Sequence, residues 1–267
     1  MKSRLICLFF LTLLVWSLVS AAQHATRRWQ QYEPEMEDPS EDPPDAWAKA
    51  EFAFARLRYR SVSYGFYRRP TWGIDSNKAE RQLLRGVRRL SRIDARSVEQ
   101  IINVDSDELF DWPWLYAVEV GHWQLDDSQA KRLREYLDRG GFLMVDDFHG
   151  TQEWSVFMAS LRKIFPDRPV VDLPNDDPIF HVLYDLDDRY QVPGAQFLYS
   201  GRTFEKDGIR PRWAGVFDDK GRIQVAICHN MDLGDAWEWA DVPQYPERYS
   251  ALAYRIGLNY VVYSMTH

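Results

Sequence analysis

Asp126 to Gly150, DDSQAKRLREYLDRGGFLMVDDFHG, reads as a helix, a two-glycine stop, a buried strand and an abrupt cluster of ionisable side chains. Asp126 can cap the helix while Gln129 reaches back, the reciprocal pattern of a capping box. Ala130, Leu133, Tyr136 and Leu137 keep one apolar face at helical spacing. Gly140 and Gly141 predict a left-handed exit from the helix. Phe142 to Val145 is wholly apolar, as expected of a strand covered on both faces in a parallel sheet. Asp146, Asp147 and His149 follow at once. In open α/β sheets, ligands sit outside the carboxyl ends of the strands, so this is where chemistry or binding is expected.

Working outward, the same alternation recurs. Upstream, Phe52 to Tyr59 reads as a strand, followed by a loop carrying Tyr64, Tyr67, Trp72 and Asp75. A helix over about Asn77 to Ile93 comes next, then strands Ile101–Val104, ending at Asp105, and Leu115–Val120, ending at Gly121-His122. Downstream, Trp154 to Phe165 gives an amphipathic helix that Pro166 stops. Arg210–Phe217 and Ile223–Ile227 form a strand pair around Asp218-Asp219-Lys220-Gly221, and Tyr249–Tyr263 closes the chain as an apolar helix. Strands alternating with helices imply right-handed βαβ crossovers and a mainly parallel sheet with helices on both faces. The expected class is therefore α/β and flavodoxin-like.

That topology would bring Asp105, His122, Asp146 and Asp147 to one edge. Each alone is also what a turn or helix cap requires; the coincidence of four is the functional signal. A second dense segment leaves the strand after Ile227, with Cys228, His229, Asn230, Asp232, Asp235 and Trp237. Successive strand residues face opposite sides, so Cys228 and His229 cannot form a nucleophile–base dyad on a regular strand. Cys228 reads as a core residue, and His229, Asn230, Asp232 and Asp235 as site candidates.

The N-terminus has two basic residues, an apolar run from Leu5 to Val19 and Ser20-Ala21-Ala22, the pattern of a cleavable export signal over residues 1–22. Its alternative is an uncleaved membrane anchor, the one membrane attachment expected. Residues 23–50 are acidic and proline-bearing, the composition of a mobile tether, and 51–267 make a single domain. Export to the periplasm or cell envelope follows. With the leader removed, Cys228 is the lone cysteine, so no internal disulfide is expected. The net charge of −7 and the absence of a lysine–arginine stripe exclude nucleic-acid binding as an expectation.

Five segments together, Trp72-Gly73-Ile74-Asp75, Asp107-Glu108-Leu109-Phe110, Tyr136 to Asp147, His229 to Glu238 and Ala253 to Tyr263, resemble the bacterial family known as domain of unknown function 4159. That family is similar to the class I glutamine amidotransferase-like fold. In those amidotransferases, a catalytic cysteine follows the corresponding strand. Here the region reads Val145-Asp146-Asp147-Phe148-His149, which argues against glutamine hydrolysis. The resemblance carries no activity.

Two functions remain open. One is a ligand-binding or assembly module, holding a small polar or sugar ligand or an envelope protein through Trp72, Asp75, Asp105, His229, Asn230, Asp232, Asp235 and Trp237, with aromatic side chains for stacking. The other is a hydrolase- or isomerase-like enzyme using Asp146 and Asp147 with His122, His149 or His229. This enzyme requires a turn that brings both carboxylates into one pocket. No cofactor is expected. A metal variant with Asp147, His149, His229 and Asp235 lacks compact ligand spacing, and no metal is assigned.

Overall fold

A computed structural model describes residues 32–37, 39–61 and 70–267. The expected leader and the loop residues Tyr64 and Tyr67 lie outside the described residues. Before Glu37 the described residues form a single helical turn at Glu33–Glu35, and Glu37–His267 form a separate compact unit. Among the described residues no helix is long and apolar enough to cross a membrane.

The larger unit is mixed α/β. Seven strands, β1 (Ala55–Arg58), β2 (Gln100–Asn103), β3 (Trp114–Val118), β4 (Phe142–Asp146), β5 (Val171–Asp172), β6 (Arg212–Phe217) and β7 (Ile223–His229), form one sheet in the order β2-β1-β3-β4-β7-β6-β5. The first five strands in that order are mutually parallel. β6 runs antiparallel to both its neighbours. The β6–β7 hairpin turns where expected, with Asp218 Oδ1 accepting from Lys220 N and Arg222 N at 2.9 Å each. β5 is two residues on an exposed edge, too short to leave a pattern in the sequence.

Six α-helices are described in this unit: α1 (Lys78–Leu90), α2 (Asp127–Asp138), α3 (Gly150–Ile164), α4 (Phe197–Ser200), α5 (Leu233–Glu238) and α6 (Glu247–Thr266). Trp114, Tyr116, Phe142, Met144, Ala226 and Cys228 pack with α1, α5 and α6 in one apolar core. The intervening Leu115, Ala117, Leu143, Val145 and Ile227 are buried as well, on the face that carries α2 and α3. Burial on both faces explains why these strands read as unbroken apolar runs.

The capping box at α2 is present: Asp126 Oδ1 accepts from Gln129 N at 2.9 Å, and Gln129 Oε1 from Asp126 N at 3.2 Å. The two glycines divide the exit between them. Gly140 supplies the left-handed turn at φ +108°, whereas a Cβ on Gly141 would strike the Tyr136 ring. The acidic run is docked at its C-terminal end. Arg81 on α1 pairs with Asp42 at 2.6 Å and donates to the Glu41 carbonyl at 2.8 Å, and Arg88 meets Asp45 at 3.0 Å.

Candidate functional site

Four of the five parallel strands send an acidic residue to the carboxyl edge. Asp75 lies in the segment after β1, Glu119 directly after β3, Asp147 directly after β4, and Asp232 shortly after β7. The backbone turns sharply in each of these segments. Asp75, Glu119, Asp147 and Asn230 all have left-handed φ, between 50° and 64°. Such a conformation is uncommon for non-glycine residues and tolerated best by Asn and Asp. It breaks strand alternation at the point where the strand ends, which is the elbow the paired aspartates need.

The turns after β4 and β7 are laced together. Asp147 N donates to Met231 O at 3.2 Å and Asn230 N to Phe148 O at 3.0 Å. The Asn230 side chain accepts from Gly150 N and donates to Arg210 O, both at 2.8 Å. Asn230 is thus a clamp between turns. Asp146 acts similarly: its Oδ2 accepts from Tyr116 Oη at 3.1 Å, Leu233 N at 2.8 Å and Gly234 N at 3.0 Å, fastening β4 to the start of α5. Even with three donors, burial pushes its carboxyl up to about 7.

Beside this anchor lies a carboxylate crevice. Donor oxygens of Asp75, Asp147 and Asp232 all lie within 4.8 Å of one another, and Asp75 is shared with a second set, Asp235 and Glu238. All but the half-buried Asp235 are buried. Burial and mutual repulsion hold the carboxyls of Asp75, Asp147 and Asp232 well above their ordinary range, and the same causes raise Glu238 to about 8. Asp75 Oδ2 has no hydrogen-bond partner. The nearest fixed cation acting on Asp75 is Arg56, buried in β1 and already committed to Glu80 and to the carbonyls of Trp72 at 2.9 Å and Ile74 at 2.8 Å. Arg56 therefore holds the loop that presents Asp75 and offsets part of its charge, while Asp147 and Asp232 have no ion pair to a lysine or arginine among the described residues.

The histidines bring no charge into it. His149 Nε2 meets Asp147 Oδ1 at 3.1 Å, and burial lowers its pKa to about 3, so the ring is neutral and shares one hydrogen bond with that carboxyl group. His229 sits between the rings of Phe148 and Trp154, 4.8 Å from each, with Nε2 on Gly150 O; burial lowers it to about 4. His122 joins a separate group. It lies 2.8 Å from Glu119, whose hydrogen bond raises its pKa, and 3.4 Å from Glu153, which also pairs with Lys206. This group carries its own positive partner in Lys206.

Several sequence expectations change. Trp72 and Trp237 are buried core side chains, Trp237 against Phe54 and Tyr116, so neither offers a stacking face. Asp105 is exposed, holds Gln129 at 3.0 Å and joins none of the clusters. Asp146 and Asp147 do not share a role, since one is the anchor and the other faces Asp75 and Asp232. His149 and His229 belong to no ligand set among the described residues; the cluster is carboxylate alone. Asp235 stays at the edge, its Oδ2 accepting from Ala195 N. Cys228 is buried in β7, its thiol pushed up by burial and directed to Tyr260 rather than a base.

Sequence reading missed Arg56, Glu119, Glu153, Lys206 and Glu238 as contributors. Arg56 did leave a signal, a lone charge inside an apolar strand. Glu119 was hidden because the third strand was read through it to Val120.

A search of curated proteins finds no match. Residues 53–265, nearly the whole described α/β unit, match the family model of the Domain of unknown function (DUF4159), and the chain belongs to that family.

Proposed function

We propose that this chain is an exported cell-envelope module that binds a small, positively charged ligand in the carboxylate crevice at its strand ends. One observation carries the reading: Asp75, Asp147 and Asp232 are buried together with no lysine or arginine ion-paired to them among the described residues, where one oxygen of Asp75 also has no partner. An uncompensated buried carboxylate is costly, and native proteins keep such groups where a ligand repays the cost. The N-terminal leader pattern supports export. The strand order supports a flavodoxin-like scaffold of the class I amidotransferase type, because β2-β1-β3-β4-β7 follows the 2-1-3-4-5 order whose ligands sit at the strand ends. Glutamine hydrolysis stays outside the proposal, since the lone cysteine of the folded part is sealed in the sheet.

A second reading, an acid–base enzyme, draws on the Asp147–His149 contact alone. It requires turnover, which binding does not. The test is a melting-temperature screen of the purified full chain against divalent cations, polyamines and amino sugars at neutral pH. At least one cationic class is expected to stabilise the wild type, and Asp147→Asn to abolish that response. An unresponsive wild type, or an equal response in the variant, overturns the proposal.

A further inference from the structure

We infer that Asp75, Asp147 and Asp232 together bind one hard divalent cation of the Mg2+, Mn2+ and Ca2+ class. This rests on the ligand-binding reading above and names the ligand. Oxygens sharing one ion at about 2.1 to 2.4 Å are separated by roughly 3 Å when adjacent and by about 4 to 5 Å when opposite. One oxygen from each of the three carboxylates meets the outer limit, the three lying within 4.8 Å of one another.

Three further features select this set. Asp75 is 3% exposed, yet its Oδ2 has no partner. That oxygen faces Gly234: a Cβ placed there would lie 2.6 Å from it, 2.8 Å from Tyr116 Oη and 3.6 Å from Asp232 Oδ1, the oxygen that caps α5 through Asp235 N. Glycine at this position leaves Asp75 Oδ2 the room that a side chain would take. His149, finally, occupies one oxygen of Asp147 and orients that carboxylate. An outer-shell partner of this kind is the usual companion of a ligating group.

The other residues of the two remaining clusters have partners of their own. Glu238 shares a hydrogen bond with Asp235, whose Oδ2 also takes Ala195 N. In the Glu119–His122–Glu153 group, Lys206 supplies the positive charge. Carboxylate oxygens without imidazole or thiolate favour hard cations over zinc or copper.

The experiment strips the purified full chain with a chelator and titrates Mn2+, reading free ion by paramagnetic resonance and heat by calorimetry, with Ca2+ and Mg2+ as competitors. One Mn2+ per chain is expected. Asp75→Asn, Asp147→Asn and Gly234→Ala should each weaken it by at least about tenfold, the scale on which even outer-shell changes act. The exposed control Asp127→Asn should leave affinity within twofold. Asn caps helices as well as Asp, so Asp232→Asn tests the remaining ligand without uncapping α5. Wild type that binds no Mn2+, Ca2+ or Mg2+, or binds it equally in the Asn variants, overturns the inference. If those ions fail but spermidine or glucosamine binds in an Asp147-dependent manner, the cation assignment falls while the ligand-binding reading stands. If nothing binds, both fall.

Discussion

Along α1, Glu80 and Glu99 are buried against Arg56 and Arg81; at the strand ends, Asp75, Asp147 and Asp232 are equally buried against one another. In the first region every carboxylate has a guanidinium, and Arg81 reaches on to Asp42 at 2.6 Å. Even there, burial and the nearby Glu80 raise Glu99 to about 7 despite the pull of Arg81. The second region has several carboxylates and neutral histidines, and among the described residues no lysine or arginine is ion-paired to Asp75, Asp147 or Asp232. The difference separates buried charge that holds a fold together from buried charge that the fold must support. The first region's carboxylates find their counter-charge within the chain, although Glu80 Oε2 and Arg56 Nη2 have no hydrogen-bond partner. The crevice becomes complete only with something from outside it.

The largest effect should come from unbalancing the first region. Arg56→Met leaves Glu80 buried without its partner and releases the carbonyls of Trp72 and Ile74. A loss of about 3–5 kcal/mol is expected in urea denaturation. A change under about 1 kcal/mol would erase the distinction drawn here.

The neutral histidines sharpen the second region. His229 has its folded-state pKa lowered to about 4 from an ordinary 6.5 by burial. A lowered pKa means that the unfolded chain binds the proton first. Its contribution is therefore full above pH 6.5 and is lost as pH falls through about 4. The loss should be on the order of 2 kcal/mol, and His229→Gln should flatten that part of the stability profile. An unchanged slope would place a charge where none is proposed.

The smallest effect belongs to the exposed counterpart of the balanced region. Arg88 and Asp45 pair at 3.0 Å with both side chains nearly half exposed. Arg88→Ala should cost less than about 1 kcal/mol and should become neutral in high salt. A larger cost would show that geometry alone, without burial, gives the pairs their strength.

Much of this was legible in the residues. The helix, the two-glycine stop and the apolar strand from Asp126 to Asp146 each follow from a local rule, and the structure matches them nearly residue for residue. The strand-end placement of Asp147 and Asp232 follows from parallel topology. What stayed hidden was of two kinds. Left-handed backbone at Asp147 and Glu119 has no periodic signature, because an Asp or Glu after a strand also fits an ordinary turn. Long-range partners were hidden too: Asp75 and Asp232 come together only because β1 and β7 run parallel across two intervening strands. Trp72 and Trp237 misled in the opposite sense, since an aromatic ring near polar residues in the sequence can still point inward.

The most direct test compares chelator-treated wild type and Asp75→Asn in urea at pH 7. If the crevice carboxylates serve a ligand, removing one charge relieves repulsion, and the variant is at least as stable as wild type, by up to about 2 kcal/mol. A loss of 3 kcal/mol or more, matching Arg56→Met, would make Asp75 part of the fold's own balance and contradict the account.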